Sequence, residues 1–301
     1  MHWFIDVRAW SRGGPIGTLK VYDQDVKPLT TTLDPLLDAI RGQDVILVAH
    51  GYNVNRKHGV ASLTEWTSKL QVPEGTVFIG ILWPGDCVLP IFVDYIWEGS
   101  EAEKSGTLVG KFIDANFGIA NSITLASHSL GARVVLQAIH TLQTIPKIRQ
   151  LILMAPAIED NTLAKEFNDV PAKVDHISVL FSKQDHVLAK AYPAGNLLTD
   201  LLGRGDPNLI PALGRSGPSD DSPGNVKPFR ILPAAWDYGH TDYLTTDTLA
   251  DGFTQPITIP ADDGSKFPAG TPDTLVPKNH WKPCWSAAFA TTRWLDPDAP
   301  I

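Results

Sequence analysis

The stretch from Ser122 to Leu136 constrains the fold of this chain more than any other part of the sequence. A short apolar run around Leu125 stops at the five residues Ser-His-Ser-Leu-Gly, which occupy 127–131. From Leu130 onward, apolar residues recur at the three- and four-residue spacing of an amphipathic helix. A strand, a sharp turn and a helix in this order predict a turn that presents the hydroxyl of Ser129 above a parallel sheet.

The turn at Ser129 makes a steric demand on its neighbours. It must be sharp enough to push the serine Oγ out of the sheet, so the residues two before and two after it need small side chains. Gly131 meets this demand, and Ser127 stands where a glycine is more usual. The N–H groups at the start of the following helix favour developing negative charge at the serine. Because the pattern S-x-S-x-G also occurs in ordinary turns, the flanking strand and helix are what make Ser129 a candidate nucleophile.

Strand-like and helix-like segments alternate from residue 44 to about 250, which predicts a doubly wound, mostly parallel sheet with helices on both faces. Two short segments near the start of the chain, 3–10 and 18–22, predict an antiparallel edge. The other strands flanking the central one are predicted at 44–49, 76–83, 150–156, 176–182 and 225–232. Helices are predicted at 56–70, 100–117 and 130–142, with a short one near 161–168.

Three segments do not fit this alternation. Residues 86–97 are very apolar and irregular, and they predict either a buried hairpin or a small lid over an active-site cleft. Residues 203–225 are rich in glycine, proline and aspartate and predict a long loop. Beyond Asp251 the alternation of strand-like and helix-like segments is no longer visible. We therefore expect one α/β domain over 1–250, with edge strands within 1–30, and an irregular C-terminal extension over 251–301 packed on the same domain.

The composition argues against several classes of partner. A formal net charge of -8 and the lack of a basic block argue against nucleic acid or an anionic membrane surface as the main partner. No apolar stretch reaches the ~18 residues that a membrane-spanning helix needs. The N-terminal residues do not resemble a secretory signal. We expect a soluble, cytoplasmic protein without a transmembrane segment, and the sequence leaves its oligomeric state open.

The chain has two cysteines, Cys87 and Cys284, which lie far apart and lack the spacing of metal ligands. We expect both to be reduced and buried, although a disulfide across the fold is the alternative. The sequence predicts no metal site.

A serine hydroxyl is a poor nucleophile at neutral pH, so it needs a neighbouring base and a carboxylate that orients the base. The chain supplies candidates in the order serine, acid, histidine, each just after a predicted strand: Ser129, Asp185 and His240. The carboxyl ends of parallel strands open at one edge of the sheet, where clefts of such folds lie. We therefore expect these three side chains to meet there.

Other histidines are weaker candidates for the base. His50 follows the first parallel strand and is better placed to shape a loop near the serine. His128 lies inside the turn, and we expect its side chain to point away from the serine. His140 lies within a predicted helix and His176 opens a strand, so both are expected to be structural. His186 adjoins the proposed acid and cannot easily turn back toward the serine.

Two other carboxylates are alternatives to Asp185 as the acid. Glu159 and Asp160 follow the strand that comes directly after the serine, and they are the alternative acids if the carboxylate lies one strand earlier. The alternative for Asp185 is a plain helix N-cap.

An oxyanion hole needs two N–H donors aimed at the developing negative oxygen. One is expected from the backbone N–H of Leu130, the residue after the serine. The other is expected from the loop His-Gly-Tyr-Asn at 50–53, where we assign the backbone N–H of Tyr52. The alternative for this loop is an ordinary turn after a strand.

A substrate pocket is expected near the serine, with apolar walls from 86–97 and 187–202 that suit a short or medium acyl chain. The candidate lining residues are His50, Trp83, Val88, Leu89, Phe92, Tyr95, Val187 and Leu188.

Several of these segments together resemble the α/β-hydrolase superfamily. They are Leu-Val-Ala-His-Gly-Tyr-Asn at 47–53, Leu-Trp-Pro at 82–84, Ala-Ser-His-Ser-Leu-Gly-Ala-Arg-Val at 126–134, Ala-Pro-Ala-Ile-Glu-Asp at 155–160, Ser-Lys-Gln-Asp at 182–185 and Gly-His at 239–240. More narrowly, the sequence resembles a little-characterised bacterial family known only as a domain of unknown function with this fold. The resemblance covers about 44–245.

The resemblance implies a serine hydrolase, most often an esterase or lipase, that needs no metal or organic cofactor. The expected reaction is the cleavage of a small-molecule carboxylic ester through an acyl-enzyme. Amidases, thioesterases and peptidases use the same groups, and a binding scaffold without catalysis is the other alternative. Chemistry that removes halide or opens epoxides on this fold needs an aspartate in place of Ser129.

Overall fold

The computed structural model describes residues 2–9, 16–69, 75–86, 91–144, 148–189, 210–230 and 239–240, and the fold is given for these. They form an eight-stranded sheet with the order β2-β1-β4-β3-β5-β6-β7-β8. The strands are β1 His2–Arg8, β2 Ile16–Tyr22, β3 Asp44–Ala49, β4 Val77–Leu82, β5 Ser122–His128, β6 Ile148–Met154, β7 Val174–Phe181 and β8 Val226–Arg230. Strands β1 and β2 pair antiparallel, and every other neighbouring pair is parallel. The expected α/β fold with a mostly parallel sheet and an antiparallel edge is confirmed.

The register of the central strands brings their carboxyl ends into line. Ala49 at the end of β3 pairs with Ser127 of β5. Met154 at the end of β6 pairs with His128 on one side and with Leu180 of β7 on the other. The segments that follow β3, β5 and β7 therefore leave the sheet at one edge, and this edge carries the candidate site.

The helices fill the intervals between the strands. They are α1 Asp34–Ile40, α2 Arg56–Lys69, α3 Ile91–Asn116, α4 Gly131–Thr141 and the short α5 Leu213–Ser216. Helix α4 follows the predicted amphipathic pattern, since its apolar side chains, among them Val134, Val135 and Ile139, are fully buried in the core. The short 3₁₀ helices Phe117–Ile119 and Pro171–Lys173 each lead into a strand.

Helix α3 corrects one expectation from the sequence. It begins at Ile91 and not near residue 100, so residues 91–97 are helical and the predicted buried hairpin is wrong there. Apolar residues occur too densely in this segment for periodicity to separate a buried helix from strands. Residues 87–90, including Cys87, lie outside the described residues, and the lid at 86–97 stays a prediction.

Two other segments differ in detail from the sequence-based expectation. The predicted short helix at 161–168 is a series of turns whose hydrogen bonds vary in span, from Ala164 N–H to the Asn161 oxygen and from Phe167 N–H to the Thr162 oxygen. These turns still bury Leu163 and Phe167 in the core. The predicted loop at 203–225 contains α5 within its described part.

The extension at 251–301, including Cys284, lies outside the described residues. Among the helices that are described, none combines the length and the apolar character that crossing a membrane requires.

Candidate active site

The serine turn between β5 and α4 has an uncommon backbone conformation. Ser129 has a φ of 53°, which lies in the left-handed region that side chains other than glycine seldom adopt. Its N–H donates to the Met154 oxygen at 2.9 Å, and its carbonyl accepts from the N–H groups of Ala132 and Ala157 at 3.1 and 3.2 Å. Hydrogen bonds on both sides therefore hold the strained residue in place, as is common at functional sites.

The requirement for small residues around Ser129 is visible in the packing. A Cβ atom added to Gly131 would collide with the carbonyl oxygen of His50, so only glycine fits there. Ser127 is fully buried on the other side of the turn, where the structure accommodates a serine in place of the usual glycine.

Three side chains from separate segments form a line of hydrogen bonds at the carboxyl-end edge of the sheet. His240 Nε2 lies 2.9 Å from Ser129 Oγ, and His240 Nδ1 lies 2.7 Å from Asp185 Oδ2. Because a carboxylate can only accept, His240 carries its proton on Nδ1 and turns the lone pair of Nε2 toward the serine hydroxyl. This tautomer is the one that can remove a proton from Ser129.

Asp185 has two roles in the structure. It is fully buried just after β7, and its Oδ1 accepts a hydrogen bond from the backbone N–H of Leu188 at 2.8 Å. Residues 186–189 are helical, so the predicted N-cap and the contact with His240 are both present, one on each carboxylate oxygen. In the described part of the chain, neither Glu159 nor Asp160 hydrogen-bonds to His240. Partial burial raises the pKa of both of these carboxyl groups.

The loop after β3 is braced by His50 and Trp83. His50 Nδ1–H donates to the Gly51 oxygen at 2.9 Å, and the indole N–H of Trp83 donates to the His50 oxygen at 2.7 Å. The two rings stack with centroids 5.6 Å apart. Burial lowers the pKa of His50 to about 3, so its ring is neutral near pH 7. Both side chains are buried and stack on each other, so they support the loop, and their assignment to a substrate pocket stays a prediction.

The same loop packs directly against the serine turn. A Cβ atom added to Gly51 would lie 2.8 Å from His128 Nδ1 and 3.0 Å from Ser129 Cβ, so a side chain here would push the loop away. Leu130, which precedes α4, is buried. Within the described residues, no acceptor takes the Leu130 N–H. The assignment of the Tyr52 and Leu130 N–H groups as an oxyanion hole remains a prediction.

A buried network of charged side chains holds the loop after β3 to the end of β1. The Arg8 guanidinium donates to the carbonyl oxygens of Trp83 at 2.6 Å and Val54 at 3.4 Å, and it forms an ion pair with Asp86. The N–H groups of Asn53 and Val54 both donate to the Gly85 oxygen, at 2.5 and 3.3 Å. The segments after β3 and β4 are thus joined to each other and to the end of β1.

Sequence reasoning missed this network. The side chains of Arg8 and Asp86 are 1% and 6% exposed. Asp6 in the same strand accepts from the backbone N–H of Arg8 at 3.0 Å and from Arg56 Nε at 2.6 Å. The available signal was a pair of charged residues, Asp6 and Arg8, inside an otherwise apolar strand, because charged side chains are seldom buried unless they are paired.

His128 also lies where the sequence did not predict it. The expectation that its side chain points away from the site is wrong. The ring is buried, its Nε2 lies 2.8 Å from the main-chain oxygen of His240, and the centroids of the two rings are 4.9 Å apart. Burial and the neighbouring His240 lower the pKa of His128 to about 3.

The remaining pocket candidates are only partly described. Val187 is half exposed, whereas Leu188 is buried beside Asp185. Val88, Leu89 and the side chains of Phe92 and Tyr95 lie outside the described part of the structure. The described residues contain no group of three or more His, Cys, Asp or Glu side chains that could hold a metal ion.

Three features are typical of the α/β-hydrolase class. They are the mostly parallel sheet, the left-handed backbone conformation of Ser129, and the segments after β3, β5 and β7 that leave the sheet at one edge. Residues 27–201 match the family model of α/β-hydrolases of unknown function, DUF900. This match spans more than half of the chain, and the chain therefore belongs to that family. No curated protein matches the chain.

The chain is also similar, at low sequence identity, to several solved structures. The ydeN gene product of B. subtilis is 19% identical, with 54% of this chain and 82% of that chain covered and a TM-score of 0.32. Esterase PE8 is 15% identical, with coverages of 66% and 86% and a TM-score of 0.35. The thermophilic esterase Est2 of the Planctomycetes species Thermogutta terrifontis is 9% identical, with coverages of 69% and 78% and a TM-score of 0.32. Similarities at this level do not identify a shared substrate.

Proposed function

We propose that this protein is a serine hydrolase that cleaves small-molecule carboxylic esters, with Ser129 as the nucleophile, His240 as the base and Asp185 as the acid. The observation that carries the proposal is the continuous hydrogen-bonded line through the three side chains, 2.9 Å from Ser129 Oγ to His240 Nε2 and 2.7 Å from His240 Nδ1 to Asp185 Oδ2. Membership of an α/β-hydrolase family supports the same class of reaction.

The proposed reaction runs through an acyl-enzyme. Ser129 Oγ attacks the ester carbonyl while His240 Nε2 takes the hydroxyl proton, and Asp185 stabilises the imidazolium that forms. His240 then gives the proton to the leaving alcohol as the acyl-enzyme forms. Water repeats the two steps, with His240 again as base and then as acid, and releases the carboxylic acid and the free serine.

The negative oxygen of each tetrahedral intermediate is assigned to the N–H groups of Leu130 and Tyr52. Leu130 directly follows the nucleophile and precedes α4, so its N–H belongs to the positive end of that helix. The contact that the Gly51 backbone makes with the serine turn supports a second donor from the same loop. Losing one such donor costs on the order of 10²–10³ in rate.

Turnover of p-nitrophenyl esters tests the proposal. We expect the full-length wild type to hydrolyse esters of graded chain length, and we expect Ser129→Ala and His240→Ala to lower kcat by about 10⁴-fold or more. Matched controls are Ser178→Ala, a buried serine in β7, and His140→Gln, a surface histidine of α4. Circular dichroism checks that each variant is folded. Turnover like the wild type in the Ser129→Ala or His240→Ala variant would remove that residue from the proposal.

The substrate panel separates the remaining alternatives. Amides, peptides and thioesters are cleaved by the same groups, so each class is assayed beside the esters. A preference for one of them would replace the ester in the proposal while keeping the triad. Lack of turnover on all of them, together with lack of reaction with an active-site serine probe, would indicate a binding scaffold without catalysis.

A further inference from the structure

His128 lies next to the nucleophile in sequence and next to the base in space. It is the last residue of β5, and its side chain is buried between the serine turn and His240. Its Nε2 is 2.8 Å from the main-chain oxygen of His240, a residue 112 positions later in the chain. No step of the proposed reaction uses this ring.

The hydrogen bond fixes the tautomer of His128. A carbonyl oxygen only accepts, so Nε2 carries the proton and donates it. The other nitrogen, Nδ1, faces the Gly51 backbone, where an added Cβ atom would lie 2.8 Å away. The ring is therefore enclosed between the loop after β3 and the main chain of His240, and it has little freedom to move.

The position of the base depends on this contact as well as on Asp185. Asp185 and Ser129 hold the ring of His240 at its two nitrogens. Neither contact fixes the backbone from which the ring projects, and the hydrogen bond from His128 acts on that backbone. A displacement of about 1 Å at a reacting group can cost on the order of 10²-fold in rate.

We propose that His128 is a positioning residue that holds the base in line with Ser129 by donating Nε2–H to the main-chain oxygen of His240. The proposal rests on the proposed function for the role of His240. The residue concerned, His128, is not part of the proposed triad. His128 acts through His240 and does not contact the substrate.

Two variants separate the hydrogen bond from the volume of the ring. His128→Phe keeps the ring but removes the donor, and we expect kcat to fall by about 10- to 100-fold with KM changed less than about twofold. His128→Gln keeps an N–H donor, and we expect it to restore most of kcat. His140→Phe on the surface of α4 is the control and leaves both constants unchanged. If His128→Phe does not fold, His128→Leu replaces it as the variant without a donor.

A second readout does not require turnover. The proton shared by His240 Nδ1 and Asp185 is expected to give a strongly deshielded proton NMR resonance, which His240→Gln removes. We expect His128→Phe to broaden or abolish this resonance through exchange with water, and His128→Gln to retain it. A purely structural role would lower the melting temperature in both variants without this contrast.

The outcomes distinguish this proposal from the proposed function. An active wild type with unchanged kcat and an unchanged resonance in folded His128→Phe would overturn the role of His128 and leave the esterase proposal intact. A wild type that is inactive on every substrate would overturn the esterase proposal. In that case, loss of the resonance in His128→Phe supports the positioning role, and its persistence overturns it.

Discussion

The two sides of Ser129 are held in different ways. On one side, the loop after β3 is held by main-chain hydrogen bonds to the segment after β4 and by the buried pair of Arg8, at the end of β1, and Asp86, after β4. On the other side, the hydrogen bonds that His240 makes within the described residues are to the side chains of Asp185, Ser129 and His128, which lie 55, 111 and 112 residues away in sequence. The loop side is part of the sheet scaffold, whereas His240, the proposed base, is hydrogen-bonded to side chains that lie far away in sequence.

This difference predicts different consequences of mutation. Removing a support on the base side should change the rate of the reaction and leave the free energy of unfolding nearly unchanged. Removing a support on the loop side should lower the free energy of unfolding as well, because it leaves a buried charge without its main partner.

The largest effect is expected on the base side, for Asp185→Asn. Asparagine keeps an oxygen that accepts from the Leu188 N–H, but it no longer favours the required tautomer of His240. By analogy with other triads we expect kcat to fall by about 10⁴-fold, with little change in the unfolding midpoint in urea.

The matched controls for Asp185→Asn are Glu159→Gln and Asp160→Asn, which should leave kcat within a few fold of the wild type. The opposite order, with a larger loss in either control, would move the acid one strand earlier along the chain.

The next largest effect is expected on the loop side, for Arg8→Met. This change removes the cation that pairs with the buried Asp86 carboxylate, and we expect the free energy of unfolding to fall by roughly 3–5 kcal/mol. Arg149→Met is the control, since the Arg149 side chain is 45% exposed and lies 3.6 Å from Asp44. Surface pairs of that kind contribute about 0–1 kcal/mol. Urea unfolding measures the free energy of unfolding of both variants. Equal losses would show that the Arg8–Asp86 pair stabilises the fold no more than a surface pair does, and this would contradict the contrast between the two sides.

Near pH 7 the smallest effect is a dependence of stability on pH, which grows as the pH falls and to which both sides contribute. Burial lowers the pKa of His50, on the loop side, and of His128, on the base side, from 6.5 to about 3. Between these values the unfolded chain binds protons that the folded protein does not bind. The free energy of unfolding therefore falls as the pH drops below about 6.5, and each histidine contributes up to roughly 1.4 kcal/mol per pH unit.

Urea unfolding between pH 4 and 7 measures this slope. His50→Gln and His128→Gln should each remove one of the protons that the chain binds on unfolding. Each variant should therefore make the free energy of unfolding depend less steeply on pH, by the contribution of one histidine. A slope unaffected by either variant would show that these histidines are not held neutral in the fold.

Much of the fold could be predicted because its signals are local. The apolar run at 44–49 and the strand-turn-helix around Ser129 each contain enough information to define an element. The meeting of Ser129, Asp185 and His240 followed from a topological rule, since parallel strands end at one edge.

The supports of the site could not be predicted in the same way. The ion pair between Arg8 and Asp86 joins residues 78 positions apart, and no local pattern links them. The direction of the His128 side chain depends on where the segment with His240 packs, which is a tertiary effect. The start of α3 at Ile91 was missed because a continuous apolar segment has no clear period.

Covalent labelling tests the central claim most directly, namely that Ser129 is an activated nucleophile. The native wild type is treated with a fluorophosphonate probe, and the modified residue is located by mass spectrometry, with Ser129→Ala, His240→Ala and Ser127→Ala treated in parallel. We expect the phosphonyl group on Ser129 in the wild type and in Ser127→Ala, none in Ser129→Ala, and much slower labelling in His240→Ala. A native wild type that does not react, or labelling that persists in Ser129→Ala at the same rate, would contradict the account.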